Sequence, residues 1–437
     1  MHAKQCRSPN RDRKGAACFP NRDREGAARY PNRDREGAAS GTVQNGEVMR
    51  SDQTLSSTNR GARARLAWDT IAMKPCDGIP AWMLHVMDIP FMEEMTGHRP
   101  GDYARNPDEV YIAFQELAGV CFIDQYLADN PLTMEAGGFH SGTERKATTG
   151  ASDVVMDGIR IDSAEAVLEH LERVVFPRRQ AEIDSWDEHE SQRLARMIDR
   201  ENTVQRMLGD NILKGPYADG FQSFPILQYQ TYGYEHYFIA YALCPEVMAR
   251  DFAQQADLAV LQNRLAVRAI QEGNLPGLMR LDFDMADSRS TLVDIKSLDR
   301  IWFPQLARAI QPFLDAGIRL IWHCDGNLMA MVTRLIEAGI GGFQGFQYED
   351  GMDYERICRM TDRDGGPLFI IAGASVTRTL PFGTKADVVD ELKWLVENGP
   401  RTGLMLGASS SIVPGTNREN IKTLMAGLHY YQHYRRL

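Results

Sequence analysis

Long apolar runs are missing from this chain of 437 residues, and none approaches the roughly 18–20 residues that a membrane-spanning helix needs. The N-terminus lacks the apolar core of a signal peptide, and its arginines are interleaved with acids, unlike those of a transit peptide. We therefore expect a cytoplasmic protein without a membrane partner. Paired cysteines are missing too. Cys6, Cys18, Cys76, Cys121, Cys244, Cys324 and Cys358 are odd in number and contain no Cys-x-x-Cys, which argues for reduced thiols over a disulfide framework. No Gly-x-Gly-x-x-Gly opens the first strand–helix unit, which removes the main support for a dinucleotide-binding sheet. The serine-rich GASSS turn (407–411) lacks the second glycine of a nucleophile elbow, which argues against a serine hydrolase.

Positive charge is scarce beyond the first 48 residues. The net charge is −10, but residues 1–48 carry ten Lys/Arg against six Asp/Glu, which leaves −14 for the remainder. That balance disfavours nucleic acid as a partner of the folded part. Residues 9–40 repeat PNRDRKGAACF, PNRDREGAARY and PNRDREGAAS at a period of 11. An 11-residue period can describe a supercoil, but each repeat opens on Pro-Asn, contains Gly and has no apolar seam. We therefore assign residues 1–55 to a disordered basic tail. Met49 begins a plausible separate start, and we expect translation to begin there, with the repeat being upstream DNA read as protein.

The remainder, about residues 60–437, alternates short apolar or β-branched runs with amphipathic stretches. The expected strands are 79–86, 120–127, 224–232, 278–285, 319–326, 341–347, 368–375 and 403–411. Eight strands separated by helical patterns predict an α/β fold, a single (β/α)8 TIM barrel with an N-terminal extension. Thr384 is expected to cap a helix with Val388, Val389, Leu392, Leu395 and Val396 on one face and Gly399 as its stop. Thr416 and Glu419 have capping-box spacing, and Ser297 is expected to cap a helix that Pro304 and Pro312 divide or kink. The acid-rich segment 181–201 reads as a helix inserted between the second and third strands.

In a barrel, chemistry sits at the C-terminal ends of the strands. The fifth expected strand ends in His323, Cys324, Asp325, Gly326 and Asn327. Side chains alternate along a strand, so His323 and Asp325 are expected on one face, entering the mouth. Such a pair can ligate zinc or a harder divalent ion, or act as an acid/base pair. The bland alternative is a histidine satisfied by its neighbour at a Gly-Asn turn. The fourth strand ends in Asp282, Asp284 and Asp287. Asp282 and Asp284 share a face and could share a proton, hold a metal, or pair with Arg280 or Arg289. The second strand carries Asp124, with Asp129 just beyond it. Gln230 and Tyr232, two apart on the expected third strand, could hydrogen-bond a substrate. Turns at 373–375 and 407–411, with Ser375 and Ser410, expose N–H and hydroxyl groups that could receive an anion or simply make turns.

Residues 60–435 together resemble the uroporphyrinogen-decarboxylase superfamily. The resemblance is carried by RARLAWDTIAMKPCDGIPAWML, DFDMADSRSTLVDIKSLDRIWFPQLARAI, IWHCDGNLMAMVTRLIEAGIGGFQGFQ, GASVTRTLPFGTKADVVDEL and GASSSIVPGTNRENIKTLMAGLHYY. Around the fourth and fifth strands it is nearer to the corrinoid-dependent methyltransferase branch. The methyltransferases' His-x-Cys falls on His323 and Asp325, and their last Cys falls on Ser410. The resemblance thus implies a divalent metal, zinc first, at His323 and Asp325 with Asp284 as a further ligand. It also implies a corrinoid co-substrate on a partner protein, a small methylated substrate or thiol, and a homodimer. The decarboxylases carry arginines after the first strand where this chain has MLHVMDI, with His85 opposite the first Arg. Their catalytic Asp corresponds to Asp124 or Asp129. A cofactor-free decarboxylase of a polycarboxylate and a non-catalytic corrinoid or porphyrinoid binder are the alternatives.

Overall fold

The computed structural model describes residues 60–128, 154–217, 220–323 and 325–434. The chain divides into two units, Met1–Asp52 and Gln53–Leu437, and every described residue belongs to the second. The basic repeat, Asp129 and Cys324 lie outside the described residues.

Among those residues the strands are β1 (Phe122–Ile123), β2 (Val154–Met156), β3 (Ile159–Ile161), β4 (Leu213–Lys214), β5 (Leu278–Asp282), β6 (Arg319–His323), β7 (Gly342–Gln344), β8 (Phe369–Ala374) and β9 (Leu404–Ala408). β5 to β9 form a parallel five-stranded sheet in sequence order. Its strands are apolar on both faces because helices cover one side and the interior fills the other. β9 continues the circuit through a parallel bridge from Leu406 to Ala81. Trp82 bridges to Phe122, and β1 pairs in parallel with β4. Eight extended segments thus follow one another around a ring, as in a TIM barrel, but the ring does not close. Between β4 and β5 no ladder occurs among the described residues.

The third segment corrects the sequence reading. Residues 224–232 are not a strand: the third segment is β4, and Tyr229–Tyr232 is a helical turn. The backbone of the apolar run finds side-chain partners instead of a ladder. Gln255 bonds both the N–H and the carbonyl of Ile226, at 2.9 and 3.2 Å. Trp302 Nε1 donates to the Pro225 carbonyl at 2.8 Å and Asn263 to the Ser223 carbonyl at 2.7 Å. On a helical turn residues two apart face opposite ways, so Tyr232 is buried while Gln230 is exposed.

Helix boundaries differ in detail. Thr384 and Asp387 form a capping box for Lys385–Asn398, which Gly399 ends, but Val389 is exposed. Asn417, not Thr416, caps Arg418–Gln432. Ser297 lies inside Ile295–Ile301 and hydrogen-bonds Tyr241, and the proline-bearing segment is divided before Phe303–Asp315. The segment 181–201, expected as one helix, is broken by a 3-10 turn at Trp186–His189 into Phe176–Asp184 and Glu190–Leu208, which fall between the second and third segments as expected. An Asp-Gly turn with positive φ at Asp157 and Gly158 joins β2 and β3 into a hairpin, a turn signal not used above.

The alternation of β6 separates core from chemistry. Leu320 and Trp322 point outward, and Trp322 meets Trp302 and Phe224 edge-on at 5.9 and 5.3 Å. Ile321 and His323 take the other face. The register pairs Asp282 with His323 and His323 with Gln344, so these three side chains stand side by side inside the ring.

Close strand approach also demands glycine. A Cβ on Gly342 would lie 2.1 Å from the Phe369 carbonyl oxygen and 2.7 Å from Ile321 Cγ2. Gly342→Ala is expected to destabilise the protein by about 1–3 kcal/mol, as overpacking does. A urea midpoint equal to that of the wild type contradicts the close contact.

Candidate functional site

The end of β6 turns at Gly326, whose φ is +84° and whose Cβ would lie 2.5 Å from the Asp287 carbonyl. Glycine at this point lets the β6 turn sit against the loop after β5. Asn327 N–H donates to that same carbonyl at 2.7 Å, and its Oδ1 accepts from Met329 N–H at 3.2 Å. Asn327 therefore shapes the turn. Gln347 Oε1 receives the Gly326 N–H at 2.7 Å.

This turn brings Asp284, His323 and Asp325 together, with one donor atom from each within 4.8 Å of the others. His323 Nε2 lies 4.0 Å from Asp325 Oδ1 and 3.8 Å from Asp282 Oδ1. Asp284 Oδ1 accepts the Asp325 backbone N–H at 3.0 Å, and Ser410 Oγ donates to Asp325 Oδ2 at 3.2 Å. The end of β9 thus reaches the same group as the ends of β5 and β6. His323 Nδ1 is buried and has no hydrogen-bond partner among the described residues. Burial raises the Asp325 carboxyl above the usual range, with the neighbouring Asp284 adding to it, although His323 opposes the shift. An imidazole and two carboxylates fit a divalent ion in donor type.

Asp282 and Asp124 belong to a different arrangement, organised by Arg280. The buried guanidinium donates from Nε to Asp124 Oδ2 at 2.6 Å, from Nη1 to Asp282 Oδ2 at 2.6 Å and from Nη2 to Gln125 Oε1 at 3.0 Å. It lies against the Trp82 and Tyr217 rings. Trp82 Nε1 donates to Asp124 at 2.9 Å and Tyr217 Oη to Asp282 at 2.9 Å. Burial pushes both carboxyls upward, but the Arg280 charge and these bonds, joined by His323 for Asp282, bring each below the usual carboxylate range. Arg280 bridges the open seam between β4 and β5 with side chains in place of a ladder. Arg289 pairs with Asp287 and not with either of these acids.

A cavity of about 490 Å³ adjoins this network, with Asp124, Gln125, Lys214, Tyr217 and Gln222 in its wall. Lys214 is buried and bonds Glu201, the Asp124 carbonyl at 2.6 Å and the Gly215 carbonyl. Arg280 was named from sequence only as an alternative partner for Asp282 or Asp284, and it does pair with Asp282. Tyr217, Lys214 and Glu201 were not selected from sequence. They sit in segments with no strand or motif pattern.

The remaining expected residues lie elsewhere or are engaged. His85 Nδ1 is 2.7 Å from Ser411 Oγ, and burial together with the Arg280 charge lowers its pKa to about 4, leaving it neutral. Ser375 Oγ donates to Glu349 at 2.6 Å and its N–H to Glu391 at 2.9 Å, so this turn holds carboxylates and is not an open anion cradle. Tyr232 bonds His170 Nδ1 at 2.9 Å, and His170 Nε2 in turn meets Asp157 at 2.8 Å. This network shares no residue with the acid cluster, and Gln230 is exposed beside it. Neither Gln230 nor Tyr232 therefore joins the expected substrate-binding group.

No protein-family model matches the chain, and no curated protein matches it. Among solved structures it is similar to a methyltransferase from Methanosarcina mazei, with a TM-score of 0.51 and 16% identity over 84% of this chain and 98% of that one. This likeness shows a shared fold.

Two outcomes follow. Arg280→Met leaves the buried Asp124 and the partly buried Asp282 without their guanidinium and is expected to lower stability by about 3–5 kcal/mol; an unchanged urea midpoint contradicts the bridging role. Glu391 is the second. Burial raises its carboxyl from 4.5 to about 7, so the folded state binds more protons than the unfolded state between those values. Its stabilising contribution is complete below about pH 4.5 and lost as pH rises through about 7. Glu391→Gln is expected to be the more stable protein above that range, by on the order of 1–2 kcal/mol, and equal to wild type below it. Parallel stability–pH curves contradict this.

Proposed function

We propose that this chain is a methyltransferase built on a (β/α)8 barrel of the uroporphyrinogen-decarboxylase type, with a divalent ion, zinc first, held by Asp284, His323 and Asp325. The observation that carries the reading is the convergence of these three side chains at the C-terminal ends of β5 and β6, on a fold shared with a methyltransferase. A bound ion supplies Lewis acidity to an acceptor or a leaving group. The co-substrate is a corrinoid carried by a separate protein, and the methyl group passes to or from a small methylated compound or thiol.

The chain's own residues divide the remaining work. Ser410 orients Asp325, and the Asp325 N–H in turn fixes Asp284. Asp282 keeps one oxygen on Arg280 and Tyr217 and turns the other toward His323 Nε2. Arg280 and Tyr217 hold Asp282 ionised, so it faces His323 as a fixed negative charge. Asp124 is a positioning residue in this scheme, because it acts on Asp282 through Arg280. The decarboxylase alternative gains no specific support from these contacts.

The test is metal analysis of the purified protein together with methyl transfer from methylcobalamin to a panel of thiols. The wild type is expected to hold about one divalent ion per chain. His323→Ala is expected to lose metal affinity and turnover at least tenfold while retaining its fold. Absence of both bound metal and methyl transfer in the wild type overturns the proposal.

A further inference from the structure

The hairpin β2–β3 and the helix that follows it, Ala164–His170, contribute no residue to the acid cluster, yet their contacts lead to it. At the hairpin tip Asp157 Oδ2 is 2.8 Å from His170 Nε2, and His170 Nδ1 is 2.9 Å from Tyr232 Oη. A carboxylate can only accept, so Nε2 is the donor to Asp157. His170 is fully buried and its ring is held from both sides. Tyr232 ends the single helical turn that Tyr229 begins. Tyr229 is buried in its turn, and its Oη donates to the Asp284 carbonyl at 3.0 Å.

One turn of backbone is too short to hold a helical shape alone, so side-chain contacts set its place. Tyr229 stacks on Phe238 at 5.8 Å, and Tyr232 lies 6.3 Å from Tyr237 with the two rings 3° from parallel. Both partners belong to the next helix, Tyr234–Leu243. Phe283, the residue before Asp284, meets the Tyr229 ring at 5.6 Å. Asp284 is thus fixed twice. Its carbonyl is held by Tyr229, and its Oδ1 accepts the Asp325 N–H at 3.0 Å.

We infer that Tyr229 is a positioning residue for Asp284, and that Asp157, His170 and Tyr232 form the bracket that holds Tyr229 in place. The inference rests on the reading of Asp284, His323 and Asp325 as one site. A carboxylate ligand binds less tightly when the backbone carrying it drifts, because the site's geometry tolerates only small departures. The hairpin therefore acts on the site at a distance, through two tyrosines on one turn.

The test uses the full chain with two variants that each remove one hydroxyl and keep the ring, Tyr229→Phe and Tyr232→Phe. Tyr354→Phe is the control. Its hydroxyl is equally buried and donates to the Leu395 carbonyl at 2.8 Å, a bond of the same kind between helices that carry none of the three ligands. In the metal-free chain, hydrogen exchange follows the Asp325 amide, whose acceptor is Asp284. Exchange is expected to quicken about tenfold in Tyr229→Phe and about threefold in Tyr232→Phe, and to stay unchanged in the control. In cobalt(II) titrations followed by absorption, affinity is expected to fall about tenfold in Tyr229→Phe and less in Tyr232→Phe. The double variant is expected to lose no more than Tyr229→Phe alone, since Tyr232 acts through Tyr229. Unchanged Asp325 exchange in Tyr229→Phe overturns the inference, as does an equal change in Tyr354→Phe. Should Tyr229→Phe fail to fold, Tyr232→Phe decides, and unchanged exchange there overturns it. A chain that binds no cobalt yet shows the expected exchange pattern refutes the metal reading alone. Equal cobalt affinity in wild type and Tyr229→Phe refutes the positioning role alone.

Discussion

A guanidinium withdrawn from water costs several kcal/mol unless its N–H groups and its charge are both matched. Arg280 is matched on every side, and much of the mouth depends on that. Its partners come from the second strand segment, through Asp124 and Gln125, and from β5 itself, through Asp282. Trp82 from the opening segment and Tyr217 from the loop after β4 close over it. One side chain thus gathers four parts of the ring at the place where the backbone ladder is interrupted.

That constraint sorts carboxylates of identical chemistry into different roles. Asp124 and Asp282 bind the cation and are held ionised. Asp284 and Asp325 lack it, and Asp325 is destabilised in its charged form by burial and by its neighbour. Acids that repel one another at close range are stable when a cation is shared among them. The first pair has that cation in Arg280. The second pair, with His323, has the donor set of a metal centre, and this is the physical basis of the proposed chemistry.

Much of the framework was legible from periodicity. Seven of the eight expected strand segments coincide with strands or bridges of the ring, because parallel strands covered on both faces read as apolar runs between helices. The N-cap at Thr384 followed from local chemistry, as did the division near Pro304, whereas the capping box expected at Thr416 and Glu419 is not formed. The exception, residues 224–232, carries the same apolar signature, but its backbone is satisfied by Gln255, Asn263 and Trp302. Those partners are remote in sequence, and no local pattern announces them. For the same reason Lys214 and Glu201 could not be read: a two-residue strand has no period, and a helix acid looks solvated until its cation arrives.

Sequence alone determined the alternation of elements and the inward face of His323 at the end of its strand, because both follow from backbone periods of 3.6 and 2 residues, whereas Asp325 lies beyond β6 and is placed by the turn. Tertiary structure decided which of the acids meet the imidazole, which are claimed by Arg280, and that Tyr232 belongs to another network. Those outcomes depend on register and on distances between segments tens to hundreds of residues apart, and electrostatic pairing falls off too steeply with distance for spacing along the chain to reveal it.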